Sequence, residues 1–341
     1  MFDFSNILNL PLIWGLLIAT AIFMYVLLDG FDLGVGILYP FAPSEQCRNR
    51  MMNSVAPFWD GNETWLVLGG GGLFAAFPLA YSILMPAFYM PIIMMLLGLI
   101  LRGVAFEFRF KAIGRDRFIW DTCFHFGSLI ATFCQGIMLG SFVQGLDVVG
   151  RNYAGGPFDW ATSFSMMTGM ALVFGYGLLG ATWLIMKTDG ITQQWARRAA
   201  LYLTLFVAFF MALVSISVPL LNENIKNFWF SFPNFFLLIP IPLATFIFFI
   251  QMIKDLLQEK AEYRPFILTI SIFFMGYLGL GLSLYPWIVP YQVKIAQAAA
   301  SGPGLSLMLV GVVPLLPLIL GYTAYCYYIF RGKVSDERQH Y

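Results

Sequence analysis

The chain has 341 residues, of which 60% are hydrophobic and 11% charged, with a formal net charge of +1; its mean hydropathy is +0.78. So few charges could not cover the surface of a water-soluble domain, and no basic cluster supports nucleic-acid binding. The composition is that of an all-α polytopic membrane protein.

A helix needs about 20 apolar residues to cross a bilayer. Nine stretches meet this, at roughly 8–38, 55–78, 82–106, 121–144, 161–186, 199–220, 234–253, 265–289 and 306–330. The first lacks the basic start and small-residue cleavage site of a removable signal, so it reads as a retained helix that tilts or projects from the bilayer. The link around Pro78 to Tyr81 is short, which predicts an antiparallel hairpin. The longest outer loops, near 145–160, 221–233 and 290–305, are too short to fold as domains. Gly34-Val35-Gly36 and Gly69 to Gly72 follow no strand and are not phosphate loops; glycines in apolar helices let neighbours approach closely.

Basic residues decide orientation. Fifteen fall on one side (Arg48 and Arg50, the Arg109 to Arg117 group, Lys187, Arg197, Arg198, Lys254, Lys260, Arg264, Arg331, Lys333, Arg338) and three on the other (Arg151, Lys226, Lys294). The asymmetry predicts a periplasmic N-terminus, a cytoplasmic C-terminus and an odd number of spans. Arg102 remains inside the third span.

Carboxylates within spans are costly and mark ion or proton paths. Asp29 and Asp32 lie in the first span, Asp60 and Glu63 in the second, each pair three apart and so on one helix face. Glu107 ends the third span, and Asp121 and His125 share a face at the start of the fourth. All converge on one membrane depth toward the cytoplasm, whereas spans five to nine hold almost no ionisable residue. This predicts a proton path through Asp29, Asp32, Asp60, Glu63, Glu107 and His125, with Asp60 foremost because it lies inside the span between aromatics. The structural alternative is that these groups satisfy helix ends or pair with Arg102 and the Arg109 to Arg117 group; for His125 the favoured partner is Asp121.

Haem iron takes His, Met, Cys or Tyr. With two histidines, His125 and His340, the chain is expected to bind no haem, and the sequence carries no metal signature. The 17 methionines read as core filling. Cys47, Cys123, Cys134 and Cys326 lack CxxC spacing and read as reduced packing residues. The many aromatics suit lipid contact and interfacial anchoring.

Asp29-Gly30-Phe31-Asp32-Leu33-Gly34, Pro57 to Leu66, Leu73 to Pro78 and Leu101 to Arg109 resemble subunit II of the cytochrome bd-type quinol oxidases, densely over about 20–125. Asn62-Glu63-Thr64-Trp65 is similar to the cyanide-insensitive branch. The resemblance implies one transmembrane unit with two four-helix bundles and an extra helix: about 1–144, about 161–289 and 306–330, then a cytoplasmic tail, 331–341. It implies a bacterial cytoplasmic-membrane terminal oxidase that oxidises quinol, reduces dioxygen to water and takes protons from the cytoplasm. Haems b and haem d would sit in a partner subunit I, with a small single-helix subunit and a structural quinone in some members. Asp29, Asp60 and Glu107 match the family's proton-path positions. The competing class is a stand-alone proton-coupled secondary transporter, against which stands the confinement of polar residues to one half of the chain.

Overall fold

The computed structural model describes residues 9–334. In chain order its helices are α1 Leu10–Leu38, α2 Glu45–Val55, α3 Trp59–Ala76, α4 Pro78–Ala87, α5 Tyr89–Arg109, α6 Arg115–Gln144, α7 Ser163–Lys187, α8 Gly190–Leu221, α9 Glu223–Phe230, α10 Asn234–Leu238, α11 Pro240–Gln258, α12 Arg264–Leu284, α13 Ile295–Ala298 and α14 Gly302–Ile329. Two short antiparallel hairpins, β1 Val148–Val149 with β2 Asn152–Tyr153 and β3 Trp287–Val289 with β4 Val293–Lys294, occupy loops. Among the described residues, eight helices are long and apolar enough to cross a membrane, with α10 and α11 forming one of them. At 18 residues, α3 carries Asp60, Asn62 and Glu63 and is not among those eight. His340 and most of the tail from 331 to 341 lie outside the described residues.

Proline positions explain where the predicted boundaries moved. The second span begins at Trp59 rather than 55, because residues 45–55 form the separate helix α2, capped by Ser44. The expected tight turn at Pro78 to Tyr81 is instead a ten-residue helix, α4, with Pro78 in its first turn, where the missing N–H costs nothing. The third span therefore starts at Tyr89, not 82. Pro91 has no N–H to donate to the Ala87 carbonyl, and α4 stops at Ala87. The eighth span ends at Leu284, just ahead of Pro286, and its last predicted residues form β3.

The helices form two groups. Helix α1 packs on α3 and α6, and α6 on α5; α7, α8, α11 and α12 close a second circuit in which each touches two others. The groups join where α1 and α6 both pack on α7, and α14 lies against α1. The crossing of α1 on α7 is a backbone contact: a Cβ on Gly34 would run into the Tyr176 carbonyl, and one on Gly180 into Gly34. The expected role of glycine in close approach holds for Gly34 and Gly36; Gly70 and Gly71 have open space around them. All four cysteines are free thiols.

At one end of the bundle Arg50 bonds Asp189, and Lys187 donates to the Phe330 carbonyl at the end of α14. At the other end Ala300 N–H donates to Ala76 O and Trp14 Nε1 to Leu305 O. The Arg-rich loops gather at the first of these ends.

Candidate functional site

Helix α5 sets the site. Its inner face carries Arg102, Ala105, Phe106 and Arg109, all buried. Glu107 points the other way and is exposed, so it stands apart from the acids it was expected to join. Arg102 is fully enclosed and pairs with two carboxylates: Asp29 of α1, also fully enclosed, and Glu63 of α3, whose Oε1 lies 2.7 Å from Nη1. The guanidinium sits over the Trp59 and Phe106 rings, 5.6 and 5.8 Å from their centroids, and those rings stack at 5.0 Å. A desolvated cation against aromatic faces gains energy that water would have screened.

Asp32, one turn beyond Asp29, is also fully buried and has no cation within bonding distance. Asn62 Nδ2 donates to its Oδ2 at 2.7 Å and to the Leu28 carbonyl at 3.3 Å. The Asn62 amide oxygen accepts from the Tyr327 hydroxyl of α14 at 3.0 Å. The second Asp32 oxygen has no protein partner. On the far side of Asp29 a polar chain runs toward the second group of helices. Tyr176 of α7 donates to Gln135 Oε1, and Gln135 Nε2 to the Tyr25 hydroxyl, each at 2.8 Å; that hydroxyl interacts with Asp29.

Asp60 is not in this network. It lies in the first turn of α3 on the exposed face with Gly61, Thr64 and Val67, because buried Asn62, Trp65 and Gly69 set the inner face. Its expected enclosure between aromatics fails for that reason: neighbours in sequence point in different directions around a helix. His125 does not pair with Asp121 although the two share a face. Its Nδ1 lies 3.2 Å from the Gly36 carbonyl. Asp121 instead binds Arg109, with the Tyr39 hydroxyl donating to it at 3.1 Å, and Arg48 forms a longer ion pair with it at 3.8 Å. Asn49 of α2 accepts from both Arg109 and Arg117 at 2.8 Å.

Thus α1, α3 and α5 bring together Asp29, Asp32 and Glu63 around Arg102, and leave Asp60, Glu107 and His125 outside. Arg102 was legible as a lone cation inside a span. Tyr25, Asn62, Gln135, Tyr176 and Tyr327 were not, since no residue type or spacing distinguishes them from ordinary polar residues of a packed helix.

A multi-pass helical membrane protein that buries an arginine among three carboxylates is the class this geometry defines. The profile of the cytochrome bd terminal oxidase subunit II family matches residues 10–330, and the chain belongs to that family. It is 30% identical over 345 residues to the cytochrome bd ubiquinol oxidase subunit 2 of Bacillus subtilis (strain 168), covering 95% of this chain and 97% of the relative. It is 29% identical over 364 residues to the cytochrome bd-I ubiquinol oxidase subunit 2 of Escherichia coli (strain K12), covering 96% of each. Its fold is similar to a chain of the bd oxidase from Geobacillus thermodenitrificans, with a TM-score of 0.73 at 17% identity over 94% of this chain and 99% of that one. The chain is therefore a subunit of a terminal oxidase complex, an oxidoreductase.

Proposed function

We propose that this chain is the haem-free subunit II of a quinol oxidase that reduces dioxygen to water. It works only with a haem-bearing subunit I in the bacterial cytoplasmic membrane, and its buried acidic network conducts protons from the cytoplasmic side. The observation that carries the proton reading is the excess of acid over base in an enclosed space: Asp29, Asp32 and Glu63 share the single cation Arg102. Buried carboxylates in excess of their counter-ions take up protons readily. Glu63 is 28% exposed and Asp60, three residues earlier on α3, is exposed, so the pair forms the mouth of the path at the Arg-rich end. Positive residues concentrate on cytoplasmic loops, which supports a cytoplasmic mouth.

The absence of haem from this subunit is supported by the chemistry of its residues. His125 is the single histidine among the described residues, and one histidine cannot hold several haems. The haems belong to the partner, and this chain's contribution is to hold and move protons.

The test is a reduced-minus-oxidised visible spectrum of membranes carrying this chain with its partner subunit, and of membranes carrying this chain alone. A haem d band only in the co-expressed sample supports the assignment; a stable lone chain with no haem d in either sample sinks it in favour of a transporter. In the assembled oxidase, Asp60→Asn and Glu63→Gln should slow oxygen reduction while haem content holds. Full turnover in both variants would remove the proposed mouth.

A further inference from the structure

We propose that Asp29 is fixed as the anionic counter-ion of Arg102, and that Asp32 is the buried carboxyl that carries a proton, a division set by Tyr25, Gln135 and Asn62. This deepens the proton-path reading by naming which interior acid holds the proton. It stands on charge balance and on the direction of the hydrogen bonds.

Asp29 differs from its acidic neighbour Asp32 in having a cation bound directly to it and a phenol beside it, although one oxygen of each carboxyl is buried without a hydrogen-bond partner. Arg102 binds it directly. The polar chain on its other side has a direction: Tyr176 O–H donates to Gln135, and Gln135 N–H donates to the Tyr25 oxygen. The Tyr25 proton is then free to point at Asp29, with which that phenol interacts. Turning the Gln135 amide over would leave the Tyr176 proton without an acceptor and would draw the Tyr25 proton away from Asp29. This orientation leaves the Tyr25 proton available on the side of Asp29, and with Arg102 bound directly it favours the ionised Asp29 carboxylate.

Asp32 has none of this. The ionisable groups facing it are Asp29 on its own helix, Glu63 on α3, Arg102 on α5 and Tyr327 on α14. The one cation among them is already committed to Asp29 and Glu63. Asn62 gives one N–H to Asp32 and spends the other on the Leu28 carbonyl. The remaining oxygen of Asp32 is buried without a protein donor. An ionised Asp32 would add an uncompensated negative charge in an enclosed space, a heavy cost that protonation removes. Asp32→Asn therefore replaces a neutral group by a neutral one, whereas Asp29→Asn strips Arg102 of its enclosed partner.

The experiment compares the assembled two-subunit oxidase with its Asp32→Asn and Asp29→Asn variants. Infrared spectroscopy reads the carbonyl stretch of protonated carboxylic acids, assigned by its shift in D2O. The expected result is that Asp32→Asn assembles with normal haem content and lacks one such band, while Asp29→Asn assembles poorly. Should Asp32→Asn fold badly, Asp32→Glu still reads the site, shifting the band without abolishing it. An unchanged carboxylic-acid spectrum in both Asp32 variants overturns the proposal. So does normal assembly of Asp29→Asn together with loss of assembly in Asp32→Asn. An Asp32 band that is present but unaltered through turnover leaves this assignment standing and sinks the proton path. No Asp32 band, with turnover still slowed by Glu63→Gln, does the reverse.

Discussion

Arg102 and Arg109 stand seven residues apart on α5, two turns along the same face, and both are fully buried. Each guanidinium lies near two aromatic rings, Trp59 and Phe106 for Arg102, Tyr39 and Phe110 for Arg109. Each binds an aspartate from another helix. The surroundings differ in sign. Around Arg102 there are three carboxylates and one cation; at the Arg109 level Arg48, Arg109 and Arg117 meet Asp121 and Glu45. Asp29 is fully enclosed, while the Asp121 side chain is 19% exposed. Phe106 and Phe124, at 5.0 Å, stand between the two levels. The same pair of residue types is thus an acid-rich, largely enclosed centre at the Arg102 level. It is a clamp on α2, α5 and α6 where bases are in surplus and water is near.

The sharpest way to break this contrast is Arg102→Leu. Removing one partner of an enclosed pair costs about 3–5 kcal/mol, so the thermal midpoint of the purified oxidase should fall steeply and haem should be lost. An unchanged midpoint would place Asp29 in water and end the argument. Gly34→Ala asks whether α1 is held by charge or by backbone contact. Its Cβ would meet the Tyr176 carbonyl, and overpacking of this kind costs about 1–3 kcal/mol; a yield of assembled complex equal to wild type would show that α1 and α7 can part without loss. Asp121→Asn at the second arginine should cost on the order of 1 kcal/mol, because the neutral amide still accepts hydrogen bonds and solvent shares the load. A loss as large as that of Arg102→Leu would erase the distinction between the levels.

The smallest effect belongs to the tail. Lys333 Nζ donates to Glu262 at 2.7 Å and Gln193 Nε2 donates to the same carboxyl at 3.1 Å, and these bonds hold the Glu262 carboxyl below its ordinary range. A depressed folded-state value means the stabilisation is present above the ordinary glutamate value of 4.5 and lost as pH falls below it. Both side chains are about one-third exposed, so the contribution is below ~1 kcal/mol and screened by salt. Melting Lys333→Ala against wild type at neutral and acid pH should show a small difference at neutral pH that closes on acidification. A difference that widens instead would invert the sign.

Much of the fold was written in one dimension. Hydropathy located the long apolar helices, because burial in lipid demands an apolar run, but α6 and α8 begin at Arg115 and Gly190 rather than at 121 and 199, since their polar first turns project beyond the apolar stretch. It erred where proline or a capping serine broke a run, at Pro78, Pro286 and Ser44, since average apolarity does not register a missing donor or a side-chain cap. The acids Asp29, Asp32 and Glu63 were legible as charges inside spans. Asp60, Glu107 and His125 carried the same signal, yet lie outside the Arg102 network.

The sequence by itself determined that this is a helical membrane protein of the bd oxidase subunit II family with an acid-rich first half, because composition and local motif survive without coordinates. Only the tertiary structure decided which acids meet. Helical phase turns Glu63 toward Arg102, Asn62 toward Asp32 and Asp60 away from both, and turns Arg102 and Arg109 inward while Glu107 faces out. The crossing of α1 on α7 then brings Tyr176 of a distant helix into line with Gln135 and Tyr25. Bonds between residues 41 and 110 positions apart depend on how helices pack, and no local pattern encodes that.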